Sequence, residues 1–291
     1  MKRAYIVGLL VVGCFVFAVP GRAATIHQDC GPYVPLENEF ASAVVMVPKT
    51  KQILYSFKPD SVRVPASLTK LAGALAWVKR GFLPYSKLVK MSSADEVGGG
   101  RLRLVVGTKI TFRDLWYSSI TASANNAAAA LGRVFPGGTK AYIARMNAVA
   151  RAAGATKTRY FDASGMDERN QTTARDMALI ADAAFRYAEI RLPAQTPTYG
   201  FSVWSTGTKK VITNTNRLLT KDTDVWVVAG KTGYLEVSMY NLVVRLQPVF
   251  ANGKPDPSKE VLVVVMGAPT KDGSFDSAKR LASWAWDSHQ F

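Results

Sequence analysis

Histidine and cysteine are nearly absent, with two of each in 291 residues. So few cysteines exclude a disulfide scaffold, and so few ligating side chains argue against a zinc site or a Cys/His cluster. His27 and His289 stand near the two ends of the chain, so a Ser-His-Asp triad finds no mid-chain imidazole. Acidic charge is also scarce, at 21 Asp and Glu against 37 Lys and Arg, a net +16. Hydrophobic residues make up 48% and charged residues 20%. That balance excludes a disordered chain, a coiled coil and a polytopic membrane protein. What remains is a globular chain with enough length to bury a sizeable core.

The one long apolar run is N-terminal. Lys2 and Arg3 precede apolar residues from Ala4 to Pro20, followed by Gly21-Arg22-Ala23-Ala24. This is the pattern of a secretory signal peptide, residues 1–23, cut after Ala23 or Ala24. An uncleaved anchor and lipidation at Cys14 are the rivals. The run is short for a membrane span and stays apolar past Cys14. Cleavage leaves Cys30 without an intramolecular partner, and loss of Lys2, Arg3 and Arg22 takes the net charge from +16 to +13. In an exported protein, in the periplasm or cell-wall space, such a surface suits anionic wall polymers or lipid headgroups, with membrane contact at most peripheral. No stripe of Lys and Arg interleaved with aromatics marks nucleic acid as a partner.

Residues 24–37 read as an N-terminal segment of the mature chain and 38–291 as one catalytic domain. Ser42–Val47 and Gln52–Phe57 read as a hairpin. Pro65 opens a helical pattern that Gly81 stops. Phe112–Arg133, Lys140–Ala153 and Thr173–Tyr187 also read as helices. Val225–Ala229, Tyr240–Leu246 and Val261–Met266 are Val-rich strands, and Asp276–Ser288 closes as a helix. Strands at both ends and helices between them predict one sheet built from both chain ends, with a helical subdomain inserted.

Three short motifs stand in order. Pro65-Ala66-Ser67-Leu68-Thr69-Lys70 holds Ser-x-x-Lys, Thr121-Ala122-Ser123-Ala124-Asn125 holds Ser-x-Asn, and Gly230-Lys231-Thr232-Gly233-Tyr234 holds Lys-Thr-Gly. Each alone is weak: Ser67 reads equally as a helix-start hydroxyl, Lys70 as a solvated lysine, and Lys231-Thr232-Gly233 as a strand end. Together they carry a mechanism. Ser67 and Lys70 share a helix face. A serine hydroxyl needs a base, and a lysine serves once burial or a neighbouring cation lowers its pKa. Lys231 is the expected second cation. Ser123 suits proton passage to a leaving nitrogen, and Asn125 suits contact with the substrate backbone. Lys231 and Thr232 suit a substrate carboxylate. Gly233 suits close approach of a substrate strand, and Tyr234 a second oxyanion N–H beside the helix start at Ser67.

On these motifs the chain resembles the low-molecular-mass penicillin-binding proteins, the serine D-alanyl-D-alanine carboxypeptidases and D,D-endopeptidases of peptidoglycan. The resemblance extends over residues 38–291. Phe112-Arg113-Asp114-Leu115, Phe161-Asp162-Ala163-Ser164-Gly165-Met166, Asn214-Thr215-Asn216-Arg217-Leu218-Leu219 and Tyr240-Asn241-Leu242-Val243 are similar to family stretches. It implies an α/β (α+β) fold of the β-lactamase/transpeptidase kind, a central antiparallel sheet flanked by helices. It implies Ser67 as acylated nucleophile, Lys70 as base, Ser123 and Asn125 as the second element, and Lys231 and Thr232 as the third. It implies peptidoglycan peptides as substrates, β-lactams as covalent inhibitors, and no cofactor or metal. Phe135-Pro136-Gly137-Gly138, Met146-Asn147-Ala148 and a chain closing on one terminal helix tilt the resemblance toward the endopeptidase-like branch. Asn126 and Val237-Ser238-Met239 depart from the usual pattern, the latter predicting a narrower pocket. Two rivals share the motifs. A β-lactamase needs a placed carboxylate, and Asp162, Asp167 and Glu168 lie in the right interval without Glu-x-x-x-Asn spacing. The other is a non-catalytic peptidoglycan-binding module.

Overall fold

A computed structural model describes residues 32–36, 38–220 and 224–291. The signal-peptide and Cys30 readings fall outside these residues. The hairpin forms as expected, with β1 (Ser42–Met46) antiparallel to β2 (Ile53–Phe57). A single 3-10 turn over Ala66–Leu68 leads into α1 (Thr69–Val78), every residue of which is buried. Next come β3 (Leu88–Lys90), β4 (Lys109–Thr111), α2 (Phe112–Ile120), α3 (Asn125–Arg133), α4 (Gly138–Ala152), α5 (Ala174–Phe185) and α6 (Ala188–Gln195). Then β5 (Thr198–Ser202) pairs with β6 (Lys209–Thr213), and β7 (Val225–Leu235), β8 (Met239–Pro248), β9 (Val261–Ala268) and α7 (Lys271–Ser288) follow.

The main sheet has the order β2-β1-β9-β8-β7, every pair antiparallel. Both ends of the chain thus build one sheet, as the strand pattern predicts. Its faces are both covered, which explains the unbroken apolar run of β9. Leu262, Val264 and Met266 face the core shared with α1 and α5, while Val261, Val263 and Val265 face α7 through Phe275, Leu281 and Ala285. Each large side chain buried this way contributes roughly 1.5–3 kcal/mol. Side-chain caps fix the helix starts: Thr111 Oγ1 accepts from Asp114 N, Thr173 Oγ1 from Asp176 N, and Thr270 Oγ1 from Gly273 N.

One helix was expected over 112–133, and two are present. The break falls at the second motif. Ser123 takes φ 60°, Ala124 N donates back to Ser118 O, and Asn125 N donates to Gly100 O. No Gly or Pro marks the break, but Thr121, Ser123, Asn125 and Asn126 are weak helix formers whose side chains compete with the helix backbone. Tertiary bonds from the 98–102 loop complete the break, ending α2 and restarting the chain as α3. The strands β3 to β6 and helix α6 add to the expected elements. Strand β7 runs six residues past Ala229 and carries the third motif within it.

Candidate active site

Three elements converge on one cavity of about 740 Å³ lined by Ser67, Ser123, Asn125, Thr232, Gly233 and Tyr234, among others. The turn that carries Ser67 is held from two sides by glycines. A Cβ at Gly233 would sit 2.9 Å from Pro65 O and 3.2 Å from Ser67 N. At Gly165, with φ +89°, a Cβ would overlap the Ala66 carbonyl. Gly233 is therefore required by the turn that carries Ser67, and it also lines the cavity. Ala66 itself sits at φ 49°, a left-handed residue immediately before the hydroxyl.

Lys70 is buried on α1 and has three oxygens around its Nζ. It donates to Ser67 Oγ at 2.8 Å, Asn125 Oδ1 at 2.7 Å and Ser164 O at 2.6 Å. Burial lowers its pKa to about 7, against the opposing pull of the Asp162 carboxylate. In the neutral amine, two N–H groups satisfy Asn125 Oδ1 and Ser164 O, and the lone pair is left facing the Ser67 hydroxyl. Lys231 is buried on β7, donates to Ser123 Oγ at 2.7 Å and to Thr232 O at 2.9 Å, and is also held well below its ordinary pKa. Burial is the first cause and the nearby Lys70 the second. Of the two causes expected for Lys70, burial is the one that acts, and Lys231 does not lower it further.

Asn125 is committed to scaffolding as well. Its Nδ2 donates to Gly98 O at 2.7 Å while its Oδ1 fixes Lys70, which leaves one N–H for a substrate backbone. Asn126 is buried and clasps Leu102 through both backbone groups, at 2.9 and 2.8 Å. An uncharged amide at this position holds the cavity's loop in place. Thr215, which sequence reasoning did not single out, donates or accepts at 2.6 Å with Thr232 Oγ1 and lines the cavity. Ser164 was missed for a clear reason: it acts through a backbone carbonyl, which no side-chain motif announces.

The expected narrowing by Val237-Ser238-Met239 is not found. Val237 and Met239 are exposed on the β7–β8 turn, and Ser238 is buried, with Leu235 N and Asn241 Nδ2 donating to its Oγ. The cavity wall there is made by Leu235, Glu236 and Tyr240 instead. Of the three carboxylates weighed for a β-lactamase, Asp162 accepts from Ser164, Gly165, Met166 and Asn170, and Asp167 pairs with Arg169. Both are consumed in shaping the 161–171 loop. Only Glu168 lines the cavity.

The family model for D-alanyl-D-alanine carboxypeptidase matches residues 31–270. The chain belongs to this family. It is accordingly a serine D,D-peptidase. Among curated relatives of this D-alanyl-D-alanine carboxypeptidase family member, a D-alanyl-D-alanine endopeptidase of Escherichia coli is 31% identical over 92% of this chain and 85% of its own. One from Pseudomonas aeruginosa is 33% identical over 86% and 79%. The D-alanyl-D-alanine carboxypeptidase DacF of Bacillus subtilis is 27% identical over 97% and 70%. Among solved structures, a penicillin-binding protein homologue from Mycobacterium tuberculosis superposes with a TM-score of 0.77 at 23% identity, over 90% of this chain and 97% of that one. A Streptomyces D,D-transpeptidase gives 0.75 at 23% identity, over 85% and 97%. These likenesses confirm the fold expected from the strand order. Among the described residues, no helix is long and apolar enough to cross a membrane.

Proposed function

We propose that Ser67 is the acylated nucleophile of a D,D-endopeptidase, which cuts the bond between D-Ala and a diamino acid in cross-linked peptidoglycan. The same acyl-enzyme serves removal of a terminal D-Ala, since the two reactions differ only in the leaving group. The observation that carries this reading is the placement of the buried Lys70 Nζ 2.8 Å from Ser67 Oγ, with Asn125 Oδ1 and Ser164 O as its other partners, so that in the neutral amine the lone pair is free for the Ser67 proton. Lys70 takes the Ser67 proton as Oγ attacks the scissile carbonyl. The oxyanion forms between the backbone N–H groups of Ser67 and Tyr234. Ser123 hands a proton to the departing nitrogen, supplied across its contact with Lys231. Lys231 and Thr232 hold the carboxylate of the leaving group. That negative charge offsets the burial that depresses Lys231 and restores its proton. Water then adds to the acyl carbon, Lys70 returns its proton to the departing Ser67 Oγ, and the proton released by the water restores the one that Lys231 gave up.

The endopeptidase assignment is supported by the two relatives at 31% and 33% identity, both named endopeptidases. The exported compartment follows from the signal-peptide reading of residues 1–23. The test is mass spectrometry of the protein after penicillin G and, separately, after a cross-linked muropeptide dimer. The expected result is one penicilloyl group on the peptide containing Ser67 and conversion of the dimer to monomers. Release of D-Ala only from uncross-linked pentapeptide would make it a carboxypeptidase. Hydrolysed penicillin without an adduct would make it a β-lactamase, and intact penicillin without an adduct a non-catalytic module.

A further inference from the structure

The net positive charge of the chain has no part in the mechanism, and it is unevenly placed. No Asp or Glu occurs between Glu96 and Asp114 or between Glu189 and Asp222. These two stretches meet in space. The first holds the 105–108 turn, where Thr108 N donates to Val105 O and Gly107 N donates to Met91 O. The second holds the β5–β6 loop, where Val203 N donates to Thr208 O and Gly207 N to Val203 O. Ser205 joins the two. Its N donates to Lys109 O at 3.3 Å, and its Oγ accepts from Lys109 N at 3.0 Å.

The joined tips hold large apolar side chains in water. Val105 is 79% exposed, Val106 51% and Trp204 58%. Single exposed apolar residues are common on any surface, but three on two bonded loop tips form a protrusion that water disfavours. Cations surround it. Lys109 Nζ lies 5.6 Å from the Trp204 ring centre, Lys90 pairs with Lys109 across β3 and β4, and Lys209 opens β6 beside the loop. Arg103 precedes the turn. These four are exposed, and none pairs with a carboxylate among the described residues. Of the acids that flank the first stretch, Glu96 is held by Arg101, and Asp114 by Tyr199 and Thr111.

A soluble polyanion would use the cations and leave Trp204 and the two valines in water. A bilayer with anionic headgroups uses both: the cations meet phosphates, and the apolar side chains enter the edge of the acyl region. Trp suits that boundary, with an apolar ring and a polar N–H. The terminal helix α7 is no rival for this contact, because Phe275, Leu281 and Ala285 are already buried on the sheet.

We propose that the 105–108 turn and the β5–β6 loop form a peripheral docking surface for an anionic phospholipid bilayer, with Val105, Val106 and Trp204 inserted and Lys90, Arg103, Lys109 and Lys209 against the headgroups. None of these side chains lines the catalytic cavity, so the contact is independent of the peptidase chemistry. Each cation strengthens binding to such a surface by about fivefold, and burying an apolar side chain by about tenfold or more.

The experiment floats the purified protein with vesicles of phosphatidylcholine alone, or of phosphatidylcholine and phosphatidylglycerol in equal parts, at low and at high salt. Inorganic polyphosphate serves as the soluble polyanion. The variants are Trp204→Ser, Val105→Ser with Val106→Ser, and Lys109→Gln with Lys209→Gln, each checked by thermal melting. Wild type should bind the phosphatidylglycerol vesicles, more weakly at high salt, and leave phosphatidylcholine alone unbound. The lysine pair should weaken binding by about twentyfold or more, and Trp204→Ser and the valine pair by about tenfold each, at unchanged melting temperature. The chain has six tryptophans, so the emission that Trp204→Phe removes isolates this one, and it should shift to the blue on the vesicles. No vesicle binding by the wild type, or binding that all three variants keep, would overturn the proposal. Binding to polyphosphate but not to vesicles, lost only in the lysine pair, would also overturn it and give the face to a soluble polyanion.

Discussion

The inner and outer ends of the same cavity are built on opposite terms. At the inner end, Lys70, Lys231 and Asn125 are at most 4% exposed, and their polar atoms are tied to named partners. At the outer end, Glu168, Glu236 and Lys271 are exposed and unpartnered among the described residues. Burial is what gives the inner lysines their chemistry. Removing the ammonium from water disfavours its charge, so a residue that is ordinarily protonated becomes a base near neutral pH. Charges at the outer end keep their solvent, so they cannot act as activated groups. They can only attract or repel what enters. One cavity therefore separates reactivity, set by desolvation, from selectivity, set by solvated charge.

That contrast predicts a steep gradient of mutational effects from the inner to the outer end. Ser67→Ala should abolish penicillin labelling altogether, and stoichiometric labelling that survives would assign the nucleophile elsewhere. Lys70→Ala should slow acylation by about a thousandfold or more, since it removes the base and leaves Asn125 and Ser164 without their donor. Stopped-flow acylation kinetics measure this, and a loss below tenfold would break the comparison at its inner end. Gly165→Ala should destabilise the fold by about 1–3 kcal/mol and slow acylation. It strains a left-handed position and drives a Cβ against the Ala66 carbonyl. Thermal melting with and without a bound β-lactam would show whether the strain is local to the Ser67 turn. At the outer end, Glu168→Gln with Glu236→Gln should change kcat/KM for a lysine-containing peptide by about tenfold at most, with a KM effect. An effect as large as that of Lys70→Ala would mean the outer carboxylates take part in the chemistry.

The inner end was legible in the sequence to the extent that it uses side chains in short motifs. Ser67, Lys70, Ser123, Lys231 and Thr232 are all brought to one cavity, and the Val-rich strands read correctly because both sheet faces are buried. The rest depends on tertiary contact. The break between α2 and α3 depends on bonds to the 98–102 loop, which residue spacing does not announce. Ser164 contributes a carbonyl and Thr215 a hydroxyl from distant segments, and neither spacing nor periodicity announces them. The sequence does not show that the turn bearing Ser67 packs against Gly233. Asp162 lies in the interval a β-lactamase carboxylate would occupy, and only the structure shows that its own loop consumes it.

The central claim is that burial makes Lys70 a neutral base for Ser67. Its most direct test is the second-order rate constant for Ser67 acylation by penicillin G, followed from about pH 5 to about pH 9. This constant reports the free enzyme's titration. Because the base must be unprotonated, the rate should fall tenfold per pH unit below a midpoint near 7 and level off above it. A rate that keeps climbing toward the ordinary lysine range near 10, or one that is flat throughout, would contradict the claim.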